Sequence, residues 1–136
     1  MEIKSVIIDT NAYAEFKKGN PDAIEIIRKS GNIIFSPVVI GELIAGFKIG
    51  TRENKNKKEL NQFIDSKRVI CIYIDNSTSE EYGNILKELR LKGKPIPTND
   101  IWIAATAKQY DLPIFSYDKH FKLIDGIKLI NTSSNM

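Results

Sequence analysis

The chain has 136 residues, 15.4 kDa, with 20 basic against 17 acidic side chains and a net charge of +3. That is one domain's worth of chain, large enough to bury a core without staples; 42% hydrophobic and 27% charged residues suit a globular domain rather than a disordered or fibrous one. The lone Cys71 excludes an internal disulfide framework and a cysteine-based zinc cluster, and the lone His120 excludes any site needing two histidines. Met1-Glu2-Ile3-Lys4 does not open a signal peptide, and no apolar run approaches the ~20 residues that span a bilayer, so a cytoplasmic protein with no membrane contact is expected.

Ile3 to Ile8 reads as a strand whose continuous apolar end, Val6-Ile7-Ile8, suggests burial on both faces of a parallel sheet. Asp9-Thr10-Asn11 ends it and opens a short helix toward Lys18. Asn20 as N-cap and Pro21 at the first helical position start a second helix, predicted to run to Gly31. Ile33 to Phe35 is the second strand. Ser36-Pro37 repeats the cap-and-proline signal and starts a helix to about Ile49. A polar helix follows, roughly Arg52 to Ser66, with Leu60, Phe63 and Ile64 as its apolar stripe.

Val69 to Ile74 is the predicted third strand. Ser77-Thr78-Ser79-Glu80 has the pattern of a capping box, and its helix, with Tyr82, Ile85, Leu86 and Leu89 on one face, stops at Gly93. Thr98-Asn99 is the next cap signal, before an alanine-rich helix from Asp100 to Tyr110. Pro113 to Ser116 and Ile127 to Ile130 are the fourth and fifth strands. Strands alternating with helices predict an α/β fold, a mostly parallel five-stranded sheet with helices on both faces, as a single domain over 1–131 with a flexible tail at 132–136.

In such sheets sites form beyond the carboxyl ends of the strands, where the strand order reverses. Asp9 ends the first strand and Asp118 follows the fourth. Asp100 lies in the first turn of the helix leading into the fourth strand, and Glu42 stands about 1.5 turns into the helix after the second. All four are therefore directed to one crevice. Each also has a purely structural reading: Asp9 as a helix cap, Glu42 on a solvated face with Lys48, Asp100 as a dipole partner, Asp118 as a turn residue. Together they form a carboxylate cluster that a hard divalent cation would neutralise, one or two ions of magnesium or manganese.

At these residues the sequence resembles a PIN domain, and more narrowly the VapC-type ribonuclease toxins of toxin–antitoxin pairs. Val6-Ile7-Ile8-Asp9-Thr10-Asn11 matches the family's apolar strand ending in Asp-Thr-Asn. Ser36 to Leu43 resembles its serine-to-Glu-Leu helix, Asp100-Ile101-Trp102-Ile103-Ala104-Ala105 its Asp-x-x-Ile-Ala-Ala segment, and Ile114 to Phe121 its strand followed by Thr-x-Asp-x-x-Phe, with Ser116 where threonine is commoner. The resemblance covers essentially the whole chain. It implies a three-layer α/β/α fold and cleavage of RNA phosphodiesters by a water activated at Mg2+ or Mn2+. It implies Asp9, Glu42, Asp100 and Asp118 as the catalytic, metal-binding acids, with Thr10, Asn11 and Ser116 holding the acids or the substrate. The implied partners are an RNA substrate, a small adjacent-encoded antitoxin of VapB type and a second copy of the chain. Alternatives are a PIN nuclease in RNA processing or on structured DNA, and a catalytically idle RNA- or protein-binding module. A receiver-like phosphoacceptor using Asp75 fits less well, because Asp9 has no second acid beside it.

Other features carry weaker signals. Lys48, Arg52, Lys55, Lys57 and Lys58 form a basic stretch, read as either a phosphate-contacting face or a solvated helix. His120 reads as a rim residue, Trp102 as packing and Cys71 as an inert strand thiol.

Overall fold

The computed structural model describes residues 3–136; Met1 and Glu2, the start of the run read as lacking a leader, lie outside the described residues. Its five strands are β1 (Ile3–Ile8), β2 (Ser30–Phe35), β3 (Val69–Cys71), β4 (Ile114–Phe115) and β5 (Leu129–Ile130). They form one sheet in the order β3-β2-β1-β4-β5, and every pairing is parallel. The helices are α1 (Thr10–Lys17), α2 (Pro21–Lys29), α3 (Pro37–Ile49), α4 (Glu53–Ile64), α5 (Asn76–Lys92) and α6 (Thr98–Tyr110). Val6, Ile7 and Ile8 of the central strand are all fully buried. Consecutive strand residues point to opposite faces, so both faces of the sheet are covered and the fold has three layers.

β1 continues to β2 on one side and pairs with β4 on the other, through Ile7 with Ile114 and Ile8 with Phe115. The strand order reverses at this junction, which places a crevice at the carboxyl ends of β1 and β4. Small side chains on α6, Ala104, Ala105 and Ala107, are buried and let that helix approach the core closely. An aromatic cluster fills the space between α1, β2 and α4: Tyr13 packs edge-on to Phe35 and Phe63, and Phe16 leans on Phe63.

Several element boundaries differ from the sequence reading, each for a local reason. Helix α2 stops at Lys29, not Gly31, because its last carbonyls find partners there. The Ser30 hydroxyl donates to Ile26 O at 2.7 Å, and the Arg68 guanidinium donates to the carbonyls of Ile27 and Ser30. β3 ends at Cys71 rather than Ile74. Its partner strand ends at Phe35, whose carbonyl takes a last bond from Ile72 N at 3.0 Å before Ser36 turns into α3. Beyond that point Tyr73 is exposed. The capping box of α5 is built two residues earlier than predicted. Asp75 accepts from Thr78 N, and the Thr78 hydroxyl accepts from Asp75 N, both at 3.1 Å, while Ser77 lies inside the helix. Gly93 ends α5 in the left-handed conformation, φ 65°. Helix α6 starts at Thr98 behind Pro97, with no side-chain cap, so Thr98-Asn99 is not a capping pair. Within the C-terminal segment, Ser133 donates from its amide and hydroxyl to Asp22 of α2.

Candidate functional site

Asp9, Thr10, Asn11, Glu42, Asp100 and Asp118 line one crevice of about 390 Å³ at the β1–β4 junction, with Ala14 and Ile103 completing its wall. The strand ends explain the convergence. Asp9 N continues the ladder to Phe115 O at 3.2 Å, so the residue after β1 lies beside the residues after β4. The Asp9 side chain caps α1 by accepting from Ala12 N at 2.9 Å. The structural reading of Asp9 as a helix cap is met, and the capping residue also lines the crevice.

Ser116 ties two of the acids together. Its buried hydroxyl donates to Asp9 Oδ2 and accepts from Asp118 N at 2.9 Å. Asn11 spans the same junction, its Oδ1 accepting from Tyr117 N at 3.3 Å. Thr10 reaches across to α3 and donates to Glu42 Oε1 at 2.7 Å. The three residues suggested as supports therefore bond to the acids or to the loop that carries them. Asn99, read from the sequence as a cap, instead donates to Glu42 Oε2 at 3.2 Å, so Glu42 is held from both sides. Its place next to Asp100 was the available signal.

His120 comes closer than its rim reading suggested. Its Nδ1 lies 2.9 Å from Asp100 Oδ2 and 3.1 Å from Asp118 Oδ1. The approach follows from Asp118, which caps the 3-10 turn after β4 by accepting from His120 N at 2.9 Å. Asp100, Asp118 and His120 offer ligand atoms that all lie within 4.8 Å of one another, a set that can hold a metal ion. Asp9 and Glu42 share the crevice but stand outside that tight trio.

The electrostatics match a site short of positive charge. Burial pushes the Asp9 carboxyl up from 3.8 to about 7; the bonds from Ser116 and Ala12 oppose the rise, and the charges of Asp100 and Asp118 add to it. Burial also raises Asp100, a shift opposed by His120 and reinforced by Asp118 and Glu42. A carboxylate has about four lone-pair sites, so the existing bonds leave oxygens free to ligate. Oxygen donors with this surplus of negative charge fit a hard divalent cation.

The other sequence signals fall elsewhere. Trp102 stacks on Tyr82 with ring centroids 4.2 Å apart. Asp75, the acid of the receiver-like reading, is committed to capping α5 and to Gln109 Nε2 at 2.8 Å, far from phosphoacceptor duty. Cys71 is exposed on the edge strand. No helix among the described residues is long and apolar enough to cross a membrane.

Comparison with known proteins gives a consistent result. The PIN domain profile matches residues 6–127. Ribonuclease VapC2 of Rickettsia felis is 28% identical, covering 92% of this chain and 96% of its own. The structure of VapBC2 from Rickettsia felis bound to a DNA fragment from their promoter superposes with a TM-score of 0.82 at 23% identity, over 95% of this chain and 99% of that one. VapBC-5 of Mycobacterium tuberculosis, a member of the VapBC family of toxin-antitoxin systems, superposes with a TM-score of 0.76 at 19% identity, over 94% and 98%.

Proposed function

The chain belongs to the PIN domain family, and on that premise we propose that it is a metal-dependent endoribonuclease, the toxin of a toxin–antitoxin pair. The observation that carries this reading is the convergence of Asp9, Glu42, Asp100 and Asp118 on one crevice without an equal number of cations. Relatives named ribonuclease VapC, and solved structures of VapBC toxin–antitoxin proteins, support the same activity and a small VapB-type antitoxin as partner. A homodimer acting on RNA in the cytoplasm completes the proposal.

Asp9, Glu42, Asp100 and Asp118 would hold Mg2+ or Mn2+, as one ion or two, with His120 beside Asp100 and Asp118. When bound, such an ion supplies charge neutralisation, polarisation of the phosphate and activation of the attacking water. The chain's own residues do the positioning. Ser116 fixes Asp9 and Asp118 relative to each other, and Thr10 and Asn99 fix both oxygens of Glu42. His120 Nδ1 lies within hydrogen-bond reach of both Asp100 Oδ2 and Asp118 Oδ1 and holds the two acids close together.

The test is cleavage of total RNA by wild type and Asp9→Asn, each with and without Mg2+ or Mn2+, with cut ends mapped. Cation-dependent cleavage by the wild type, lost in Asp9→Asn, is expected; equal cleavage by both proteins overturns the assignment. Toxicity on induction, relieved by the neighbouring reading frame, separates the toxin from a PIN nuclease of RNA processing.

A further inference from the structure

Four acids line the crevice, but the chain does not hold them alike. Asp9 accepts at both carboxyl oxygens, from Ala12 N and the Ser116 hydroxyl, and Glu42 at both of its own, from Thr10 and Asn99. Among the described residues, Asp100 and Asp118 are met at one oxygen each, and both times by His120. Asp9 is buried, whereas the Asp100 and Asp118 side chains keep 14% and 28% of their surface exposed. The two acids that an ion can reach most directly are therefore the two that His120 adjoins.

His120 is a donor of a different kind. Its Nδ1 stands 2.9 Å from Asp100 Oδ2 and 3.1 Å from Asp118 Oδ1. Two donors bound to one octahedral ion at about 2.1 Å, at right angles to each other, stand about 3 Å apart. The spacing of the nitrogen from both oxygens matches adjacent corners of such a shell. The local backbone sets this spacing, because His120 N donates to Asp118 Oδ1 at 2.9 Å and turns the ring back over the acids. The ring is 44% exposed, so it can tilt its lone pair toward an ion without unpacking the core. As a hydrogen-bond donor, Nδ1 carries at most one hydrogen for two nearly equidistant oxygens. A metal ion satisfies all three atoms at once. A neutral imidazole also adds a donor without adding negative charge, where a fifth carboxylate would increase the repulsion among the four.

We propose that His120 Nδ1 is a direct ligand of the divalent ion, together with Asp100 and Asp118, and that this nitrogen makes the site prefer Mn2+ to Mg2+. Nitrogen donors favour transition metals, whereas Mg2+ favours oxygen donors and gives up its water reluctantly. Asp9 and Glu42, anchored at both oxygens, complete the negative field of the crevice. The assignment rests on the cation site of the nuclease reading above and narrows which ion fills it.

The experiment follows metal binding, apart from RNA cleavage, in the full chain without an affinity tag. The chain has one histidine, so an imidazole nitrogen coupled to bound Mn2+ has a single source. Pulsed electron paramagnetic resonance is expected to show that nitrogen coupling in the Mn2+-loaded wild type and its loss in His120→Ala and His120→Gln. Both substitutions keep the backbone amide that bonds Asp118, and circular dichroism checks the fold. In calorimetric titrations the wild-type Kd for Mn2+ is expected at least about tenfold below that for Mg2+. In either variant the gap should close to within about threefold, through weaker Mn2+ binding. Mn2+ bound by the wild type without nitrogen coupling overturns the ligand role and leaves the nuclease reading intact, even where a variant does not fold. An unchanged ion preference in both variants has the same consequence. Tighter Mn2+ binding by His120→Ala makes the ring a counter-ion that the metal displaces, and also overturns the proposal. No Mn2+ binding by the wild type overturns the cation site of the nuclease reading and the ligand role with it.

Discussion

Two acidic clusters in this fold behave in opposite ways. At the far end of α5, Glu88 and Asp125 meet the Lys92 ammonium at 3.2 and 2.8 Å, and that contact holds the Asp125 carboxyl below its usual range. At the β1–β4 junction, Asp9 and Asp100 are pushed up, because burial and the charges of neighbouring acids outweigh the hydrogen bonds they accept. The first cluster contains its counter-ion and serves to pin α5 to the loop before β5. The second lacks a matching positive charge among the described residues, a deficit that a bound cation would offset. Acidity alone therefore does not mark a candidate site; acidity without enough built-in positive charge does.

The largest effect that can break this contrast is on catalysis. Asp9→Asn and Asp100→Asn are each expected to lower cation-dependent RNA cleavage at least about a hundredfold while circular dichroism stays native. Removing divalent ions with a chelator should abolish wild-type cleavage, with Mn2+ or Mg2+ restoring it. A tenfold smaller loss is expected on weakening the supports: Thr10→Val or Asn99→Ala frees one oxygen of Glu42 and should cost about tenfold in activity, read from initial rates at saturating cation.

The pH dependence of stability sharpens the contrast further. The folded Asp9 carboxyl titrates near 7 against 3.8 unfolded. The folded state thus binds the extra proton between those values. This contribution is fully present below about pH 4 and is lost as pH rises through about 7, a span worth roughly 2–4 kcal/mol. Metal-free Asp9→Asn should therefore gain on the wild type as pH rises, in thermal melts from pH 4 to 8, and saturating Mn2+ should restore the wild type above pH 7. The smallest effect belongs to the other cluster: Lys92→Ala should leave cleavage unchanged and lower Tm by only a few degrees.

The convergence of the four acids was legible because apolar runs mark where strands end. Asp9 and Asp118 stand just past such runs, Asp100 in the first turn of a helix entering β4 and Glu42 early in the one leaving β2. What sequence did not reveal depends on contacts between distant segments. The bonds from Thr10 and Asn99 to Glu42 cross 32 and 57 residues. The early end of β3 depends on where its neighbour stops, not on the apolar run Ile70 to Ile74, which reads as a longer strand. His120 enters the cluster because the turn capped by Asp118 points its ring back at Asp100, a geometry no spacing rule announces.

On the proposed reading, the acid crevice is built for a cation that the chain does not itself supply. Calorimetric titration of Mn2+ into the chelator-treated protein tests it most directly, with Asp100→Asn/Asp118→Asn alongside. Saturable binding by the wild type and its loss in the double variant is the predicted result. No binding by the wild type, or equal binding by both proteins, would contradict it.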